Sequence, residues 1–191
     1  NTALTHHAGR TLALYEGSAP FEVTAELATV GEYTFDGTLE GPMTAHPKID
    51  PVTGELHFFG YSPFPPYLRY TQVSADGTLG TVRGIDVPAA TMMHDFQLTT
   101  NYAVFMDLPI VFDLSVMPFP LVWRPENGAR IGLVPRDGSD VIWVDIDPCY
   151  VFHTFNAFET HNGKVVLEGC RMASLWADGT EDLSPSKHWR W

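Results

Sequence analysis

Turn signals recur so densely along this 191-residue chain that no stretch of it keeps a convincing helical period. Asp50-Pro51-Val52-Thr53-Gly54, Asp76-Gly77, Asn127-Gly128, Asp137-Gly138 and Asn162-Gly163 each supply the Gly or Asn that tight hairpins need for positive φ. Between them lie short runs that read as strands: Arg10 to Tyr15, Phe21 to Ala25, Glu55 to Tyr61, Leu68 to Val73, Tyr102 to Met106, Val141 to Ile146 and Lys164 to Gly169. The expectation is an all-β, antiparallel meander. Many short hairpins of even spacing suit a β-propeller better than a two-sheet sandwich, although periodicity does not choose between them and no clean repeat is visible.

Hydrophobic residues make up 45% of the chain, enough to bury a sizeable core, and its length fits one ordinary domain over residues 1–191. A formal charge of −12 with no Lys/Arg run argues against a nucleic-acid surface and against electrostatic docking to anionic lipid. Neutral or apolar ligands suit such a chain better. Two cysteines, Cys149 and Cys170, make neither a thiolate zinc site nor a disulfide framework, so a reducing cytoplasm is the expected setting. The opening Asn1-Thr2-Ala3-Leu4 has neither an initiator Met nor a signal-peptide pattern and reads as an internal edge of a longer protein. The longest apolar run, Leu108 to Trp123, is too short to span a bilayer and is broken by Asp113, Pro118 and Pro120. It reads either as a buried strand pair or as a greasy lip touching a membrane or an apolar substrate, and Tyr61 to Leu68 invites the same two readings.

Three histidines sit in aromatic-rich segments: His46 in Thr44-Ala45-His46-Pro47-Lys48, His94 in Met92-Met93-His94-Asp95-Phe96, and His153 in Val151-Phe152-His153-Thr154-Phe155. Taken singly, a His beside aromatics is more often a hydrogen-bonded core or turn residue than a ligand. Their separations, 94 − 46 = 48 and 153 − 94 = 59, match no local metal motif. Bulky apolar neighbours predict a dry interior for all three imidazoles. His6, His7, His57, His161 and His188 lie among polar or turn residues and read as surface.

The flanking residues add what spacing lacks. Ala45-His46-Pro47-Lys48 followed by Asp50-Pro51 and Thr53-Gly54-Glu55-Leu56, then Met93-His94-Asp95-Phe96 with Thr99 and Asn101, then Phe152-His153 with Asn156-Ala157-Phe158-Glu159, resemble the three successive ligand motifs of the carotenoid cleavage oxygenases. That family includes apocarotenoid oxygenases, stilbene-cleaving dioxygenases and the retinoid isomerase of the eye. Order, spacing and flanks agree from Leu12-Ala13-Leu14-Tyr15-Glu16 to Trp189-Arg190-Trp191, nearly the whole chain.

The resemblance implies a seven-bladed β-propeller with Fe(2+) held on its axis by four histidines, of which His46, His94 and His153 are the first three. No residue matches the fourth, and His188 falls where the family has no ligand. It further implies that this chain is an internal part of a longer propeller, inactive and prone to aggregate without the remaining blades. Glu16 matches the first of the family's three glutamates that accept a ligand's second ring N–H. Asp95 and Glu159 read as local hydrogen-bond partners. The implied reaction is non-haem cleavage of a conjugated C=C bond by O2 to two carbonyls, with a carotenoid or apocarotenoid polyene as substrate. Phe96, Phe152 and Phe155 are the expected substrate walls, and Ser62 to Leu68 and Leu114 to Trp123 fall where the family contacts membranes. Stilbene-cleaving relatives carry a lysine directly before the glutamate, whereas this chain has Tyr15, which favours the polyene. A stilbene or phenylpropenoid dioxygenase, and a non-catalytic propeller binding module, are the alternatives.

Overall fold

Residues 2–176 and 184–191 of the chain are described, from a computed structural model. They form seventeen strands and one 3-10 turn at Pro125–Asn127, in two compact units divided after Asp86. Of the opening tetrapeptide, Asn1 lies outside the described residues.

The first unit holds two four-stranded antiparallel meanders. One is β1 (Ala3–His7), β2 (Arg10–Leu14), β3 (Phe21–Val23) and β4 (Thr29–Glu32); the other is β5 (Lys48–Ile49), β6 (Leu56–Tyr61), β7 (Leu68–Val73) and β8 (Leu79–Gly84). The inward residues of β2 and β6 explain the packing. Leu12 and Leu14 join Leu56, Phe58, Val73, Met43 and Phe35 in one cluster, each no more than 4% exposed. Truncating a ring such as Phe58 in a cluster of this kind costs about 3–5 kcal/mol.

The second unit begins with β9 (Gln97–Leu98), β10 (Tyr102–Asp107), β11 (Ile110–Phe112) and β12 (Leu121–Trp123). It continues with β13 (Ala129–Pro135), β14 (Ile142–Ile146), β15 (Thr154–Glu159), β16 (Val165–Arg171) and β17 (Lys187–Arg190). One sheet runs β14-β13-β10-β9 and another β15-β16-β17, all antiparallel, while β11 and β12 form a hairpin inserted between β10 and β13. β10 is a central strand, and five of its six residues are buried.

Gly54, Gly77, Gly128, Gly138 and Gly163, the glycines of the five turn signals, all have φ between 75° and 91°. Leu108 to Trp123 divides into a buried part and an exposed part. Ile110 and Val111 are buried in the β11–β12 hairpin, while Leu114, Val116, Met117 and Phe119 stand exposed at its tip. Among the described residues no helix is long and apolar enough to cross a membrane. Cys149 is buried and Cys170 half-buried, and both are free thiols.

Candidate metal centre

In the second unit two short irregular segments place imidazoles side by side. Thr91 forms an isolated antiparallel bridge with Val111, and the chain then runs through Met92 and Met93 to His94 before β9 begins. Tyr150 forms a similar bridge with Met172, and the chain runs through Val151 and Phe152 to His153 before β15. Thr91 and Tyr150 are 0% and 1% exposed, so each bridge anchors its segment in the core and leaves the histidine three residues later at the edge.

The two Nε2 atoms lie 3.2 Å apart, with ring centroids 4.9 Å apart and planes at 75°. Two imidazoles each bound about 2.1 Å from one ion, at close to a right angle, hold their nitrogens about 3 Å apart. The donor set therefore fits two adjacent ligands of a borderline cation such as ferrous iron. Within this chain His94 is half-buried and His153 exposed, and both imidazoles stand in loops before strands rather than within them.

The segments are held together by the residues beside the histidines. Asp95, 7% exposed, accepts the Phe96 N–H at 2.9 Å on one oxygen, and the Thr154 N–H at 3.0 Å and hydroxyl at 2.8 Å on the other. Gln97 Nε2 donates to Thr154 Oγ1 at 2.9 Å. Farther along, Glu159 accepts the Asn101 N–H and Nδ2–H, both at 2.7 Å. Burial pushes the Glu159 carboxyl up, but hydrogen bonds from Thr99 and Asn101 outweigh it and hold the group below its usual range. Asp95 and Glu159 are thus hydrogen-bond partners, as their sequence contexts predict.

Phe152 turns its edge to His94 at 5.6 Å and 90° and packs on Tyr150 at 4.8 Å. Phe96 is fully buried and stacked on Phe105 at 5.3 Å, so its part is core packing and not the lining of a substrate wall. Phe155 is 56% exposed and lies against His188. His188, 3.5 Å from Glu168, belongs to a surface cluster on β16 and β17.

The first unit carries His46 in the segment before β5, half-buried, its N–H on Thr44 Oγ1 at 3.1 Å. That segment lies against β6: Thr44 N–H donates to the Phe59 carbonyl at 2.7 Å, and Met43 N–H to the Ser18 carbonyl at 3.0 Å. The Ser18 contact ties it to the loop that follows β2, where Glu16 is half-buried.

A family profile described as retinal pigment epithelial membrane protein matches residues 1–190. The carotenoid cleavage oxygenase of Mycobacterium tuberculosis is 40% identical over 87% of this chain and 43% of its own length. The chain belongs to the carotenoid cleavage oxygenase family.

The crystal structure of Pseudomonas brassicacearum lignostilbene dioxygenase covers all of this chain and 44% of its own, with a TM-score of 0.89 and 35% identity. Cobalt-substituted Synechocystis apocarotenoid oxygenase gives a TM-score of 0.84 at 28% identity, over 100% and 45% of the two chains. The chain therefore spans less than half the length of these relatives. Their fold is a seven-bladed β-propeller, and the antiparallel four-stranded meanders of this chain are blades of that architecture.

The settings of three residues, Tyr61, His57 and His7, escaped the sequence. Burial, and then the Glu16 charge and a hydrogen bond to Glu16, push the Tyr61 hydroxyl above its ordinary value, so Tyr61 stays protonated and donates to that carboxylate. Glu16 is accordingly more than a solvated strand-end acid. His57, expected at the surface, is 0% exposed: its Nδ1 pairs with the Tyr70 hydroxyl at 2.7 Å, and its Nε2 lies 3.7 Å from Glu55. His7 is likewise buried, on the Gly54 carbonyl at 2.9 Å. Asp50, Glu55 and His57 bring ligand atoms within 4.8 Å of one another, but Asp50 caps the Val52 and Thr53 N–H groups and Glu55 takes the Thr53 hydroxyl, so the group braces the β5–β6 turn.

Proposed function

We propose that the full-length protein is a non-haem iron dioxygenase cleaving a conjugated C=C bond of a carotenoid or apocarotenoid, with His46, His94 and His153 as three of its iron ligands. The observation that carries this reading is the His94–His153 pair, two ring nitrogens at a separation suited to one cation. His46 joins them through its motif alone. Bound ferrous iron would supply a site where dioxygen and an alkene react together. The reaction balances without an external reductant, because the alkene supplies the electrons and each product carbonyl takes one oxygen atom.

The chain's own residues then have distinct tasks. His94 and His153 present neutral imidazoles, and neutral donors leave the cation its full charge. Phe152, set edge-on to His94, keeps an apolar ring where a hydrocarbon chain must approach and water must not. Glu16, held by Tyr61, accepts the second ring N–H of a ligand and so fixes its tautomer. The exposed tip at Leu114, Val116, Met117 and Phe119 supports peripheral contact with a membrane that stores such substrates.

A stilbene substrate is the second reading, favoured by the 35% identity to lignostilbene dioxygenase and opposed by Tyr15 in place of lysine. Iron content and product analysis with an apocarotenal and with resveratrol test both. Stoichiometric iron and cleavage of the apocarotenal alone is the expected result; absence of iron from the full-length protein would refute the ligand assignment.

A further inference from the structure

We infer that Asp95 and Thr154 are positioning residues for the metal centre, a clamp that sets the separation of the two imidazoles before any ion arrives. The inference rests on the reading that His94 and His153 hold one ion. β9 and β15 belong to different sheets, so the ladder hydrogen bonds of one sheet do not fix the place of His153 relative to His94. What bridges them is one carboxylate. Asp95 follows His94 directly, and Thr154 follows His153 directly.

Both donors of Thr154, its N–H at 3.0 Å and its hydroxyl at 2.8 Å, converge on the same Asp95 oxygen. The second oxygen is fixed by the Phe96 N–H at 2.9 Å. Three donors therefore hold a carboxylate that is only 7% exposed. Charge-assisted bonds in a site so little exposed to water are the stronger class of hydrogen bond. The Thr154 hydroxyl, having donated to Asp95, accepts from Gln97 Nε2 at 2.9 Å and has both of its roles in use. Behind it Thr154 pairs with Gly169, where an added Cβ would meet Val151 at 3.3 Å and the His153 carbonyl at 3.4 Å, so the His153 segment is backed on its other side as well. Each imidazole is thus one residue from a shared anchor.

The same seam contains its own control. Glu159 clamps Asn101 with two bonds of 2.7 Å at the far end of β15, five residues beyond Thr154. If these carboxylates merely stitched two sheets together, losing either would have the same consequence for the metal.

The test uses full-length protein and cobalt(II) as the probe, measuring affinity by chelator competition and site geometry from the visible spectrum, with thermal stability recorded alongside. Asp95→Asn, which turns one acceptor into a donor, is expected to weaken cobalt binding about tenfold or more, in the range typical for groups that orient metal ligands. Thr154→Val, which keeps the N–H and loses the hydroxyl, is expected to weaken it by less and to alter the spectrum. Thr154→Ser is expected to restore both. Glu159→Gln is expected to lower stability while leaving cobalt affinity within twofold. Unchanged affinity in both Asp95→Asn and Thr154→Val overturns the clamp, and so does an equal loss in Glu159→Gln. Wild-type protein that binds no cobalt removes the metal reading itself, a result distinct from both. Should Asp95→Asn not fold, the Thr154 pair decides alone.

Discussion

Replacing Gly60 by alanine should loosen the segment that carries His46. Gly60 lies within β6, and a Cβ built on it would stand 2.1 Å from the Pro42 carbonyl oxygen, a backbone atom without the freedom of a side-chain end. Ordinary carbon–oxygen contact requires more than 3 Å, so one strand must give by about 1 Å. The nearest bond at risk is the 2.7 Å link from Thr44 N–H to the Phe59 carbonyl. Losing it costs about 1 kcal/mol, and overpacking adds about 1–3 kcal/mol. Together they predict about 2–4 kcal/mol, roughly a 2–5 °C fall in melting temperature for a protein of its relatives' length, more than twice that of this chain. Gly84→Ala is the matched control, because its Cβ meets nothing within 4 Å. Thermal unfolding of the full-length variants, with iron content measured on the same preparations, checks both parts. Wild-type stability and iron content in Gly60→Ala would show that the Pro42 to His46 segment yields freely, and the argument from close approach would be wrong.

The other predictions concern the second unit, the hairpin tip and the β6 core. Burial pushes the Asp107 carboxyl above its usual value even though Arg130, bonded at 2.9 Å and lying 3.8 Å from the Trp143 ring, pulls it down. A raised carboxyl binds protons more tightly when folded, so ionised Asp107 burdens the fold, and the support given by Arg130 is greatest where Asp107 is ionised and fades as it protonates. Arg130→Met should therefore destabilise by about 2–4 kcal/mol at neutral pH and by less as pH falls through the carboxylate range, in urea titrations at pH 4 and pH 7. A flat difference across that range would refute the assignment. Met117→Asp with Phe119→Asp should abolish cosedimentation with neutral phosphatidylcholine vesicles and leave the melting temperature within about 2 °C, since both residues are exposed; unchanged cosedimentation would exclude the tip as a contact. His57→Phe should cost about 1–3 kcal/mol by leaving the buried Tyr70 hydroxyl short of its imidazole partner, read as a fall in the urea midpoint.

Much of the architecture was legible because turns and central strands advertise themselves. Leu68–Val73 matches its expected bounds, and Arg10–Leu14, Leu56–Tyr61, Tyr102–Asp107 and Ile142–Ile146 differ from theirs by one residue at one end. Edge strands were not legible. Thr29–Glu32 and Lys187–Arg190 are largely exposed, while Lys48–Ile49 and Gln97–Leu98 are two residues long, so none displays an alternating pattern. Misjudged histidines share one cause. His57 is buried because Tyr70, thirteen residues away and on the next strand, supplies a hydroxyl, and the neighbours of His57 in sequence carry no trace of that partner. Tyr61 escaped for the same reason, since its donation to Glu16 joins positions 45 residues apart.

The absence of a visible repeat has a physical explanation at the candidate metal centre. His94 and His153 each follow a buried, isolated bridge residue by three positions and each immediately precede one end of the Asp95–Thr154 clamp. The backbone placement is repeated, yet the residues that accomplish it differ: Thr91-Met92-Met93 in one segment and Tyr150-Val151-Phe152 in the other. A buried bridge requires only that its backbone be paired and its side chain packed, and threonine and tyrosine satisfy that equally within their own cores. Substituting within this class, as in Thr91→Val, should leave the site intact if the Thr91 hydroxyl on the Leu108 carbonyl at 2.9 Å serves the core alone. It should lower stability by about 1 kcal/mol and leave cobalt affinity unchanged. A substitution that breaks the bridge, such as Met92→Pro, removes the N–H donated to the Ile110 carbonyl at 2.8 Å and should cost both. Retained affinity in Met92→Pro would mean that the bridges do not place the imidazoles, and the correspondence between the two segments would have no part in building the site.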